Sequence, residues 1–185
     1  MKLRWALVVM GMWIMGSICM SVVATENFYT IDRLLDTSIN VEFHRAVQQL
    51  GHAPARDLLR YLSSELNRLY FQAWNVAQLV LGALALWLIA SSPAPSETRD
   101  ARRRRGLWGV AAMLGVVVLM LVYLTPQIVS LGRSLDFVPR DPAPPGMQKF
   151  WILHAAYTSL EMVKLLAGLV VAWWITNWGP DVTHF

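Results

Sequence analysis

Four apolar runs decide what this 185-residue chain can become: Trp5–Ala24, Tyr70–Ala90, Leu107–Leu131 and Phe150–Thr176. A helix crossing the hydrocarbon core needs about 20 predominantly apolar residues, and each run meets that length. In lipid every backbone N–H and C=O must be satisfied within the protein, so such runs fold as helices. Composition agrees, with 56% hydrophobic and 15% charged residues and a mean hydropathy of +0.42. The expectation is an all-α polytopic membrane protein, a single four-span domain over residues 1–185 with a four-helix transmembrane bundle and a partly helical external loop. The nine tryptophans gather near the ends of the runs, as an interfacial aromatic belt requires. Cys19 is the only cysteine, which excludes an intrachain disulfide, a CxxC redox centre and a cysteine-based metal site.

The first run has an alternative reading. Met1 to Arg4 makes a basic n-region, and Val22-Val23-Ala24 offers a cleavage site, so a signal peptide fits those two features. The apolar stretch is about 19 residues, however, against about 7 to 15 for an h-region, and it contains Trp13. Retention as a span is the expectation. Between runs two and three, Ser91-Ser92-Pro93-Ala94-Pro95 interrupts the helix before Arg99, Arg102, Arg103, Arg104 and Arg105. Short arginine-rich loops stay on the cytoplasmic side, so residues 91–106 are expected inside. Lys2 and Arg4 then place both termini in the cytoplasm, and the expected location is a bacterial-type inner membrane. The arginines are read as topology determinants that also touch lipid headgroups. No aromatic interleaving accompanies them, and no nucleic-acid partner is expected.

Residues 25–69 form the larger external loop. Phe28, Ile31, Leu34 and Leu35 continue the helical spacing of the first span. Val41–Leu50 has a second helical pattern stopped by Gly51, and Pro54 suits the first turn of a helix continuous with the second span. The second external loop, 132–149, carries Pro139, Pro142, Pro144 and Pro145, which makes it a stiff connection. Its alternating Arg133, Asp136, Arg140 and Asp141 are expected to form solvated local pairs.

The fourth run holds the least expected residues. Glu161 and Lys164 lie near its middle, and at 1.5 Å per residue Lys164 is roughly 20 Å from either end. A charge at the bilayer centre costs about 2.5 to 3.5 kcal/mol on insertion scales, and snorkelling does not reach that far. His154, Tyr157, Glu161, Lys164 and Gly168 follow a 3-4-3-4 spacing and share one stripe. Asn75 and Gln78 on the second span fall at matching depth, as do Tyr123 and Gln127 on the third, where Pro126 predicts a kink. Ser17 and Ser21 complete a ring from the first span. Two readings stand side by side: hydrogen-bonded glue between helices, or an outward-facing polar pocket handling protons or cations at Glu161 and Lys164. The spans carry one histidine, His154, whereas His44, His52 and His184 lie outside them, so a bis-histidine haem is excluded. No phosphate loop, GxSxG or HExxH occurs. No catalytic residue, metal site or cofactor is expected.

Three stretches carry a family resemblance: Glu65-Leu66-Asn67-Arg68-Leu69-Tyr70-Phe71 entering span two, Tyr123-Leu124-Thr125-Pro126-Gln127-Ile128 leaving span three, and Phe150-Trp151-Ile152-Leu153-His154 opening span four. With the span spacing, the chain resembles the transmembrane-protein-205-like family of small four-span membrane proteins, whose bacterial members form a domain of unknown function. The resemblance implies a helical membrane bundle and a histidine near the start of span four, here His154. Glu161 with Lys164 departs from that pattern. No catalytic activity comes with the resemblance. The functional expectation is an accessory or assembly protein, not an enzyme, that meets the bilayer, other membrane proteins or copies of itself. The alternative is a proton-coupled carrier of a small solute or ion, and a membrane enzyme ranks last.

Overall fold

The computed structural model describes residues 1–37, 39–93 and 96–177. Ala94, Pro95 and His184 lie outside the described residues. Among those described, every element is helical: α1 (Lys2–Thr37), α2 (Val41–Leu50), α3 (His52–Ala90), α4 (Glu97–Leu119), a π-helical turn (Met120–Leu124), α5 (Thr125–Ser134) and α6 (Met147–Thr176). Four helices are long and apolar enough to cross a membrane, α4 through α5 counting as one. The chain is a multi-pass membrane protein built as a helical bundle.

Local chemistry sets the breaks. Asn40 caps α2 by accepting from the Phe43 N–H at 3.0 Å. Gly51 ends α2 with φ 91°, a conformation that costs a side-chain-bearing residue steric strain, and α3 starts at the next residue. Pro54 sits in that first turn, where its missing N–H costs nothing. With no breaker afterwards, α3 runs 39 residues from the extramembrane region through the span. Ser92 closes its far end, donating to the Leu88 carbonyl at 2.7 Å.

The arginine run is helical rather than looped. Ser96 caps α4, accepting from the Arg99 N–H at 3.4 Å, and Glu97 and Asp100 occupy the favourable first turn. Arg99 through Arg105 therefore extend the third spanning helix instead of floating in the connection. Further along, Pro126 has no N–H to donate to the preceding turn. The helix widens before it, with the Thr125 N–H reaching the Met120 carbonyl, and this π turn is how the expected irregularity is accommodated.

Around the bundle the neighbours run α1, α3, α4, α6 and back to α1. Three apolar cores stack along the axis. At the arginine end, Met10, Trp13, Ala85, Ile89, Val110 and Met113 pack together. Met120, Leu124 and Tyr157 form the second, with Phe71 against them. Beyond the bilayer α1 and α3 continue side by side as a hairpin with α2. Ile31, Leu35 and Ala55 make its core, flanked by Phe43 and Val47. Asn67 stitches this hairpin, accepting from Asn27 at 2.6 Å and donating to the Ala24 carbonyl at 3.0 Å.

Close approach of helices depends on glycine at two levels of the first core. A Cβ on Gly16 would fall 2.1 Å from the Trp74 ring, and one on Gly82 would fall 2.4 Å from Leu114. Gly115 has nothing within 4 Å of such an atom. Gly16→Ala should therefore destabilise the bundle by about 1–3 kcal/mol through overpacking, whereas Gly115→Ala should be neutral or slightly stabilising. Equilibrium unfolding in micelles measures both.

Candidate functional site: a buried polar network across the spans

Between the first and second cores lies a polar layer centred on Lys164. Its ammonium donates to Glu161 Oε1 at 2.7 Å and to Gln78 Oε1. The indole N–H of Trp13 donates to that same amide oxygen at 2.9 Å. Two donors converging on one atom fix the amide orientation, because a nitrogen there would oppose both. Gln78 Nε2 then faces Asn75 Oδ1 at 3.4 Å, and Asn75 donates to Thr125 Oγ1 at 3.3 Å. Tyr157 donates to Asn75 Oδ1 at 3.5 Å, the longest of these bonds. One network thus joins α1, α3, α5 and α6.

Burial makes these bonds consequential. Gln78 and Asn75 are 0% exposed, Lys164 2% and Glu161 8%. At low dielectric an unpaired ammonium is far more costly than in water, and truncating one partner of a buried pair typically costs about 3–5 kcal/mol. The i,i+3 spacing of Glu161 and Lys164 supplies a counter-charge from the same helix face. Gln78 supplies the second acceptor from across the bundle. One acceptor is left over: Glu161 Oε2 is buried without a hydrogen-bond partner, as is Ser17 Oγ. Counting outward from the Trp13–Gln78–Lys164 level, Ser17 lies four residues along α1 and Glu161 three along α6. Both are therefore about 4.5–6 Å nearer the hairpin end.

Five of the eight residues singled out from sequence come together here: Asn75, Gln78, Tyr157, Glu161 and Lys164. The other three do not. His154 is exposed, stacked on Phe150 at 5.8 Å and edge-on to Trp151 at 6.0 Å. A 3.6-residue helix turns it about 60° from Tyr157, towards those aromatics and off the buried line. Tyr123 and Gln127 are also exposed, because the π turn directs Met120 and Leu124 inward instead. Trp13 and Thr125 are the participants that spacing did not reveal. A tryptophan 13 residues into an apolar run reads as core, and its N–H partner is visible only once α3 is in place. Among the described residues no group of three His, Cys, Asp or Glu side chains assembles as a metal site would need.

A second ionic cluster sits where the hairpin meets α5. Arg68 bridges Glu65 and Asp136, the latter at 2.9 Å, while Arg133 reaches Glu65 at 3.4 Å. Arg133 and Asp136 were expected to pair locally within their loop; they pair with α3 instead, because α3 projects far enough to meet them. The Arg133 and Arg68 hydrogen bonds hold the Glu65 carboxyl below its ordinary range against an opposing desolvation.

No family model, curated protein or solved structure matches the chain.

Two outcomes test these clusters. Lys164→Met alone should destabilise the bundle by about 3–5 kcal/mol, and the double replacement Glu161→Leu with Lys164→Met should recover most of that loss, measured by unfolding in micelles. A depressed carboxyl contributes stability above its unfolded value, about 4.3 for Glu, and loses it as pH falls through the folded one. The hydrogen-exchange protection factors of amides at the α3–α5 contact should therefore fall on acidification below about pH 4.3, and Glu65→Gln should show the lowered protection already at neutral pH.

Proposed function

We propose that this protein is a non-enzymatic accessory or assembly factor of a bacterial-type inner membrane, with both termini cytoplasmic. It binds other membrane proteins or further copies of itself. The observation that carries this reading is the outer face of α3. Leu58, Leu62, Leu69, Val76, Val80 and Trp87 are all exposed and fall on one stripe. The portion beyond Tyr70 reaches about 18 Å past the span, where lipid tails do not extend. A partner that itself continues from the bilayer into the extramembrane space would bury both parts of the stripe. The buried polar network supports the same reading, since its lysine is held by two acceptors of the bundle itself, Glu161 and Gln78. The family resemblance at Glu65–Phe71, Tyr123–Ile128 and Phe150–His154 is compatible with such a role and brings no catalytic chemistry.

Photo-crosslinking residues placed at Leu58 and Leu62 should give a discrete adduct with a membrane protein or a second copy, identified by mass spectrometry. Leu62→Glu should abolish the adduct at Leu58 without unfolding the bundle. A diffuse pattern that Leu62→Glu leaves unchanged would refute the docking role of this stripe.

One observation favours a second reading, a proton-coupled carrier of a small solute or ion: the buried, unpartnered Glu161 Oε2 beside the unpartnered Ser17 layer. A carboxylate oxygen with an unused lone pair inside a span is where a transported proton would reside. On that reading Glu161→Gln abolishes pH-driven flux in proteoliposomes while the fold survives. Flux retained in Glu161→Gln removes the carrier.

A further inference from the structure

The two ends of the molecule handle charge differently. At the hairpin end, acids and bases answer each other, as in Arg56 with Asp32 at 2.8 Å and the Glu65–Arg68–Asp136 cluster. At the opposite end Lys2, Arg4 and five arginines between Arg99 and Arg105 face only Glu97 and Asp100 among the described residues. Several of these bases are committed within the protein. Lys2 donates to the Ser91 carbonyl and lies over the Trp87 ring, and Arg102 donates to the Asn177 carbonyl at the end of α6. Arg103 and Arg104 share the single carboxylate of Asp100, at 2.6 and 3.0 Å.

Helical rotation sorts the arginines of α4, including Arg104, which commits only its Nε to Asp100. Relative to Trp108, Arg104 and Arg105 lie four and three residues back, so the three side chains occupy one face of α4. Arg99, nine residues back, is on the opposite side. Trp108 is 77% exposed and the Arg104 side chain 74% exposed. The outward face therefore presents two guanidiniums one turn above an indole, where the apolar run of the span begins. That vertical order matches a phospholipid. A phosphate is a planar-fork target for guanidinium, and an indole prefers the glycerol region just beneath the headgroups.

We infer that Arg104, Arg105 and Trp108 form a headgroup site for an anionic phospholipid. This goes beyond orienting the chain, since orientation uses only the sum of the bases, whereas this site uses two of them on one face. It is also independent of the polar network and of the α3 stripe.

Full-length protein in nanodiscs of phosphatidylcholine mixed with phosphatidylglycerol supplies the test, with retained lipids counted by native mass spectrometry. The wild type should retain phosphatidylglycerol in preference to phosphatidylcholine. R104Q/R105Q should lower that preference about thirty-fold, from about 1 kcal/mol per basic residue, while Arg99→Gln changes it by less than about two-fold. W108A should weaken retention of both lipids at this position, and raised salt should erode the wild-type preference. Circular dichroism reports whether the double variant folds. If it does not, R104Q and R105Q singly carry the same test at about five-fold each. A preference unchanged in folded R104Q/R105Q overturns the site. So does inorganic phosphate competing away the bound lipid at millimolar concentration, since that would mark a free-anion site instead.

Discussion

The structure depends on one ammonium group held in the middle of a membrane span. Lys164 cannot reach either interface, so the bundle must bring acceptors to it. Glu161 does so from the same helix, and Gln78 from across the interface. Because Gln78 Oε1 also accepts from Trp13, satisfying the lysine fixes α1, α3 and α6 in mutual register. Asn75 extends the constraint to Thr125 at the start of α5. Apolar packing inside a bilayer gives little preference for one helix rotation over another, since lipid tails are as apolar as leucine. A polar layer that fails unless every member is in place supplies that preference.

Other features are arranged around this layer. Gly16, Gly82 and Gly168 let the helices approach at its level; a Cβ on Gly168 would come 3.2 Å from Ile14. The π turn before Pro126 lets the third spanning helix absorb a missing hydrogen bond without leaving the bundle. It also brings Thr125 to Asn75. On the hairpin side the protein changes solvent, and its interactions change with it: Asn27, Ser63 and Asn67 tie α1 to α3, and ion pairs join α3 to α5. The α3 helix belongs to both regions, which makes it the element that transmits position between them.

Much of the site was legible in the sequence because membrane burial penalises polar groups so strongly. Glu161 and Lys164 in an apolar run required partners, and helical spacing together with depth pointed to Asn75 and Gln78. His154, Tyr123 and Gln127 match the layer in depth as well, yet all three are exposed. Depth counting supplies height along a helix but not rotation about it. His154 turned aside to stack on Phe150, and the π turn shifted the phase of the third span by a residue. Trp13 escaped notice because its single N–H is hidden within a large apolar ring system.

The sequence by itself determined that four segments form helices long and apolar enough to cross a membrane, because a continuous apolar run in lipid must satisfy its backbone groups within itself. It also determined that a charged pair would need partners inside, because burial without them is too costly. Only the tertiary structure decided which groups answer it. Interhelical rotation, set by glycine contacts and by the π turn, selects Gln78 and Trp13 over His154 and Tyr123, and no spacing along one strand of text encodes the angle between two helices.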